Sequence, residues 1–398
     1  MFPFLAVLRG SSCRRYGPII VTAIAAVTLY AWIDLTYSLP WNPDRPTPPA
    51  FPAGPLANAC DNLKDTNPIA TTNEPIPNIV HYIWLLADPA VFSLEFKVFV
   101  SVYSSYIFFH PDRIYFHTDV TPELWNRAKT SGDLWTKRIL AIPGVTPNFI
   151  ENPRFTSKNV DIDTFGAKSD FIRAVALRDF GGIYLDVDVI PLRDVAPLRN
   201  AGFANVVGGA VAIAPKHTGY VNTGVWLSQP HSTLVEIFYK GMDAFYNGQW
   251  AISVGILTDL AFRLSAVPGE VLIMHPRAFG AVSWEEADQV RLFKSHPDTD
   301  TNSAIQSHAV GAPKELKNSC AEALSWFAER EHAGRMESWE IDFSSSYVLH
   351  AIDELAEARY GKISLKGVLA RQSNYARAVY PAIWHAIDAG VIPRGETL

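Results

Sequence analysis

Two carboxylates one residue apart, Asp186 and Asp188, interrupt the apolar run Gly-Gly-Ile-Tyr-Leu-Asp-Val-Asp-Val-Ile-Pro-Leu, residues 181–192. Side chains alternate across a β-strand, so Ile183, Leu185, Val187 and Val189 predict one aliphatic face, and Tyr184, Asp186 and Asp188 the other. On one continuous strand the two acids would project together, with Cα atoms about 6–7 Å apart. Like charges held this close in an apolar setting are costly unless something positive joins them. The nearest following cation in sequence is Arg193. A divalent ion with hard oxygen ligands resolves the conflict, and it leaves coordination positions for water and a phosphorylated ligand. Such an ion would offset the charge of a departing diphosphate.

Asp-x-Asp alone is a weak signal, and the chain has two further copies, Asp161/Asp163 and Asp298/Asp300. Context singles out the 186/188 pair. Residues 163–180 predict a helix whose apolar positions include Phe171, Ile172, Val175, Ala176 and Phe180. Gly181-Gly182 supplies the stop, and the strand begins at Ile183. Pro191 is read as the end of its ladder. The acids then fall at the carboxyl end of a strand, where open α/β sheets bind ligands. Asp170 and Arg173 are three apart on the helix and can pair.

The rest of the chain must position these groups. Pro77–Leu86 and Asp112–Asp119 read as buried strands and Phe92–Phe109 as a helix, its apolar stretch Phe96–Phe109 being too short to span a bilayer and better read as a buried core helix. A helix opening at Thr121-Pro122 has an N-cap and a proline at the first position. Alternating strands and helices give an α/β fold with a mixed or parallel sheet covered on both faces. Residues 341–398 carry helical periodicity, with Val348, Ile352 and Leu355 on one face, and predict a C-terminal helical extension.

At the other end, residues 17–39 hold an uncharged apolar run, "GPIIVTAIAAVTLYAWI", ended by Asp34. Its extended length matches a thin bilayer of about 27 Å. Arg9, Arg14 and Arg15 precede it, so residues 1–16 are expected to remain cytosolic and the remainder to be lumenal, with no clean cleavage site after the run. Seven prolines in residues 40–55 predict an extended stalk, taken to reach residue 74. A domain over residues 75–340 follows.

The formal net charge is −6 and no basic run exceeds two residues, which argues against nucleic-acid partners. Three cysteines (Cys13, Cys60, Cys320) allow at most one bridge; a lumenal chain would permit Cys60–Cys320. There is no Asn-x-Ser/Thr sequon.

The string "SDFIRAVALRDFGGIYLDVDVIPL" resembles the DXD sugar-binding region of glycosyltransferase family 32, a family that includes fungal α-1,6-mannosyltransferases and animal α-1,4-glycosyltransferases. The matching positions are Ser169, Asp170, Arg173, Gly181, Gly182, Ile183, Tyr184, Asp186 and Asp188. The opening "IPNIVHYIW" is similar to the family's first strand, at Ile76, Pro77, Ile79, His81 and Trp84. The resemblance implies a GT-A-like fold, a nucleotide-sugar donor (GDP-mannose or a UDP-sugar), Mn²⁺ or Mg²⁺, retention of anomeric configuration, and a glycan or glycolipid acceptor. The anchor and stalk fit a type II Golgi membrane protein. On this resemblance Asp186 and Asp188 are the catalytic metal-binding acids. His81, Trp84, Asp170, Arg173, Tyr184 and Asn222 would border the donor, and a later histidine would complete the metal site, His308 being preferred over His275 and His296. Two other readings are weighed. A non-catalytic Golgi scaffold or glycan-binding module would have no need of the paired acids. A metal-dependent phosphohydrolase would want a further nucleophile or a second carboxylate cluster.

Overall fold

The computed structural model describes residues 74–209, 220–249, 251–283, 285–297, 320–352, 357 and 359–396. The proposed cytosolic tail, anchor and stalk up to residue 73 lie outside these residues, as do His308, Cys13 and Cys60. Among the described residues, no helix is long and apolar enough to cross a membrane.

A seven-stranded mixed sheet runs through the domain in the order β3-β2-β1-β4-β7-β6-β8. Its strands are β1 (Ile79–Trp84), β2 (Arg113–Thr118), β3 (Val145–Phe149), β4 (Gly182–Leu185), β6 (Asn205–Gly209), β7 (Val221–Ser228) and β8 (Val271–Met274). β1 pairs in parallel with both β2 and β4, whereas β7 runs antiparallel to its neighbours β4 and β6. A separate two-stranded ribbon joins β5 (Val189–Pro191) to β9 (Val348–His350), antiparallel.

Helices cover both faces, as a nearly all-apolar parallel core requires. On one face the helix Phe96–Phe109 shares a core with Val80, Tyr82, Ile183 and Leu185. On the other, Tyr184 and Trp226 pack with Phe171 and Leu177 of the helix Phe165–Phe180 and Phe238 of the helix Thr233–Phe245. Neighbouring β4 residues thus enter opposite cores, as alternation predicts up to Leu185.

Alternation fails beyond that point. The predicted single strand through Val189 is instead β4, a turn over residues 186–188, and β5 in the other sheet. The Asp186 N–H still bonds Gly224 O at 2.9 Å, but the Val189 N–H turns back to Asp186 O at 3.0 Å. Pro191 ends a ladder, but that of the short β5, where it pairs with Val348.

The C-terminal reading also needs correction. Val348–His350 is a strand, not the start of a helix. Farther on the segment is helical, and the helix Asn374–Asp388 packs into the domain: Tyr375, Val379 and Ile383 belong to the same core as the helix Phe96–Phe109, and Tyr103 Oη lies 2.9 Å from His385 Nδ1. Helical periodicity was visible in this region, but β9 is held by its tertiary partner β5, which a local pattern cannot show.

Candidate metal and donor site

The helix Phe165–Phe180 starts at an N-cap, Thr164, whose side chain accepts from the Ala167 N–H. It ends at Gly181 (φ 62°) and Gly182 (φ 103°), a pair in the left-handed region that glycine tolerates. Close packing adds a second demand, because a Cβ on Gly182 would lie 2.4 Å from Ile79 O. The turn therefore delivers β4 directly against β1, and the chain leaves the sheet at Asp186.

Three segments converge there. The 186–188 turn brings the two acids, β7 brings Asn222 and Gly224, and β9 brings His350. Val189 is paired with His350, and the Ala351 N–H donates to Asp188 O at 3.0 Å. His350 Nε2 sits 3.3 Å from Asp188 Oδ1 and 4.0 Å from Asp186 Oδ2. Among the described residues, Asp186, Asp188 and His350 form a group able to hold a metal ion, one ligand atom of each lying within 4.8 Å of the others. Gly224 has no room for a side chain here, since a Cβ would lie 2.6 Å from Asp186 Oδ2 and 2.7 Å from His350 Cε1.

Asp186 is held from behind. Tyr184 Oη donates to its Oδ1 at 2.5 Å, and Arg173 Nη2 lies 3.4 Å from the same oxygen. Arg173 is a buried hub: it pairs with Asp170 at 3.1 Å, donates to Thr223 O at 2.5 Å and stacks its guanidinium 4.5 Å from the Tyr184 ring centre. The Asp170–Arg173 pair is thus buried and connected, not a surface ion pair. Arg173 engages only Oδ1, so Oδ2 remains turned toward His350 and the other acid.

Burial alone would raise the Asp188 carboxyl, but the charge and hydrogen bond of His350 outweigh it and leave it below its ordinary value. Burial would lower His350, and Asp188 more than reverses that, leaving it raised. Asp170 is raised because burial exceeds the help it receives from Arg173. Three carboxylates share this neighbourhood with one guanidinium and one imidazole. The excess negative charge and hard oxygen donors fit a divalent cation.

The other sequence-selected residues occupy different places. Tyr184 is 1% exposed and supports Asp186 with its hydroxyl, so it is behind the acids. Trp84 is partly buried at the carboxyl end of β1. His81 is withdrawn from the rim: it is fully buried, with Nε2 2.6 Å from Gly181 O and Nδ1 2.9 Å from His117 Nε2, and His117 Nδ1 is 2.8 Å from Asn148 Nδ2. A carbonyl only accepts and an amide nitrogen only donates, so each ring in this chain has one defined tautomer. Its function is to pin the Gly181 turn to β1 and β2. Asn222 is a site residue, but it faces His350 (Nδ2 to Nδ1, 3.1 Å).

His275 caps a short helix at Pro276–Phe279, and His296 stacks on Trp339 with ring centres 4.1 Å apart; neither is in the metal-ligand group. His350 was missed by the sequence reading. The signal available was a histidine closing the apolar run Tyr347-Val348-Leu349, the same pattern that marks β1.

In sequence, the chain is similar to known glycosyltransferases. Residues 99–204 match the model for the glycosyltransferase sugar-binding region containing the DXD motif. Glucan organizing enzyme 1 of Cryptococcus neoformans var. grubii is 26% identical over 230 residues, covering 56% of this chain and 57% of its own length. An uncharacterized glycosyltransferase of Acanthamoeba polyphaga mimivirus is 24% identical over 170 residues, or 42% of this chain and 55% of that protein. The chain spans little more than half the length of either relative. Among solved structures, the glycosyltransferase GlyE of Streptococcus pneumoniae aligns with 79% of this chain and 64% of its own at 10% identity and a TM-score of 0.37. The PaToxG glycosyltransferase aligns with 50% of this chain and 72% of its own at 14% identity and a TM-score of 0.33. The matched residues 99–204, similar to the sugar-binding region of DXD-containing glycosyltransferases, include Asp170, Arg173, Asp186 and Asp188.

Proposed function

We propose that the chain is a retaining, metal-dependent glycosyltransferase of GT-A type that moves a hexose from a nucleotide-sugar to a glycan or glycolipid acceptor. The observation that carries this reading is the convergence of Asp186, Asp188 and His350 at the edge of β4, next to the buried Asp170–Arg173 pair. Asp186 and Asp188 would hold Mn²⁺ or Mg²⁺, with His350 as the third group. When bound, the ion supplies Lewis-acid stabilisation of the charge that develops on a departing diphosphate.

The chain's own residues prepare that chemistry. Arg173 and Tyr184 hold Asp186 from one side, so its free oxygen is presented without a rotamer search. Gly224 lets β7 approach the acids closely enough for Asn222 to reach His350. Trp84, at the carboxyl end of β1, is placed on the side of the sheet where α/β proteins bind nucleotides. The site contains no obligatory carboxylate nucleophile in this scheme: the acceptor hydroxyl attacks from the face the leaving group departs.

A lumenal, Golgi-type location is proposed with it. Cys320, the first residue of the helix Cys320–His332, is disulfide-bonded, and disulfides persist in oxidising compartments. The proposed anchor at residues 17–39 supplies the membrane attachment.

The test is transfer or donor hydrolysis by the full-length chain with a panel of UDP- and GDP-sugars, with and without Mn²⁺. Turnover that needs the ion and is lost in Asp188→Ala is expected. Ion-independent turnover, or full activity in Asp188→Ala, would reject the assignment.

A further inference from the structure

His350 has the position of a ligand but not the hydrogen-bonding of one. A histidine that binds a metal through Nε2 carries its proton on Nδ1 and donates it to an acceptor. Here Nδ1 faces the Nδ2 of Asn222 at 3.1 Å. That nitrogen only donates, so Nδ1 must accept. The proton of a neutral ring is then on Nε2, directed at Asp188, and there is no lone pair for a cation.

The amide cannot simply be reversed. Asn222 Oδ1 accepts from the Gly224 N–H at 2.6 Å. Turning the amide over would set two N–H donors against each other at that distance. Gly224 is itself fixed, since its carbonyl accepts from the Asp186 N–H and its Cα face abuts Asp186 and His350. The same backbone that brings β7 to the acids thus dictates how Asn222 points, and Asn222 dictates where the His350 proton sits.

We propose that Asn222 is a positioning residue that holds His350 in the Nε2–H tautomer, so that the cation-free site is closed by a His350–Asp188 hydrogen bond and His350 becomes a ligand only when the proton leaves Nε2 and one is taken up at Nδ1. The proposal rests on the reading of Asp186, Asp188 and His350 as a cation site. Its consequence is a site that binds its ion weakly and reversibly. An aspartate at position 222 removes the conflict, because one carboxylate accepts both the Gly224 N–H and a proton on His350 Nδ1.

Two measurements on the full-length chain decide it. The first is the ¹H–¹⁵N spectrum of histidine-labelled, cation-free protein, with His350 assigned by its loss in His350→Gln. A protonated Nε2 and a bare Nδ1 are expected, and the opposite tautomer overturns the proposal whether or not the protein binds a metal. The second is Mn²⁺ affinity by electron paramagnetic resonance in a cycle of Asn222→Asp and His350→Gln. Asn222→Asp is expected to tighten binding at least about tenfold, the range seen for partners of metal-bound histidines, and this gain should vanish when His350→Gln is also present. An equal gain in both backgrounds would be the added charge alone, and no gain would mean that the tautomer does not control binding; either overturns the proposal. Wild-type protein that binds no Mn²⁺ refutes the cation reading instead, and the tautomer spectrum then still tests the role of Asn222.

Discussion

At the level of single residues, the site depends on a few buried groups that hold one another in place. Arg173 contacts Asp170, Thr223, Tyr184 and Asp186. Arg173→Ala would leave Asp170 buried without its counter-charge, and the unfolding free energy in urea should fall by about 3–5 kcal/mol. Arg173→Lys should recover only part of that, because an ammonium cannot replace the guanidinium fork. His81 gives a pH signature with a definite sign. Burial lowers it to about 4 from an ordinary value of 6.5, so the unfolded chain takes up a proton at this residue before the folded one does. Its contribution is complete above pH 6.5 and is lost as the pH falls toward about 4, amounting to about 3 kcal/mol. His117 is shifted in the same direction, burial again being the main cause. Urea titrations at pH 7 and pH 4.5 should show lower stability at the acid pH, with a smaller difference in His81→Gln. An undiminished difference would place the sensitivity elsewhere.

At the level of elements, the glycines of the turn and of β7 set how closely strands approach. Gly182→Ala would combine a positive φ with a Cβ 2.4 Å from Ile79 O, and it should cost at least about 3 kcal/mol or prevent folding. Gly224→Ala differs, because the added carbon meets side-chain atoms of Asp186 and His350. It should lose Mn²⁺ affinity while keeping most of its melting temperature, and calorimetry with a thermal melt would separate the two effects. These positions also show how far the sequence could be read. The helix Phe165–Phe180, its cap and its glycine stop follow from local rules, as do β1, β2 and the capped helix at Pro122–Ser131. The break after Leu185 does not. Asp186, Val187 and Asp188 continue an alternating pattern, and only the pairing of β5 with β9, 160 residues later in sequence, pulls the chain out of the sheet (Ile190 against Leu349, for example). His350 was hidden for the same reason. Its proximity to the acids is a property of that ribbon, and the periodicity of its neighbours pointed to a helix.

For the whole molecule, the segment after residue 340 is part of both the core and the site. The helix Asn374–Asp388 buries Tyr375, Val379, Ile383 and Ile387 in the core shared with the helix Phe96–Phe109, and β9 carries His350. A chain ending at residue 340 should therefore fail to give a cooperative thermal transition; a folded, Mn²⁺-binding truncation would contradict this architecture. Burial of His81 was equally illegible in the motif it belongs to. A histidine between strand residues looks the same whether it faces a nucleotide or a neighbouring histidine, and only the positions of Gly181 and His117 distinguish the cases. The paired acids were legible because charge on an apolar strand is costly wherever the strand ends.

The most direct measurement of the central claim is Mn²⁺ binding to the full-length chain by isothermal calorimetry, for wild type, Asp186→Asn and Asp188→Asn. Wild-type protein should bind one ion, and each substitution should weaken binding at least about tenfold, the effect of losing about 1.4 kcal/mol. Wild-type affinity retained in both variants would mean that the acids at the edge of β4 do not hold a cation.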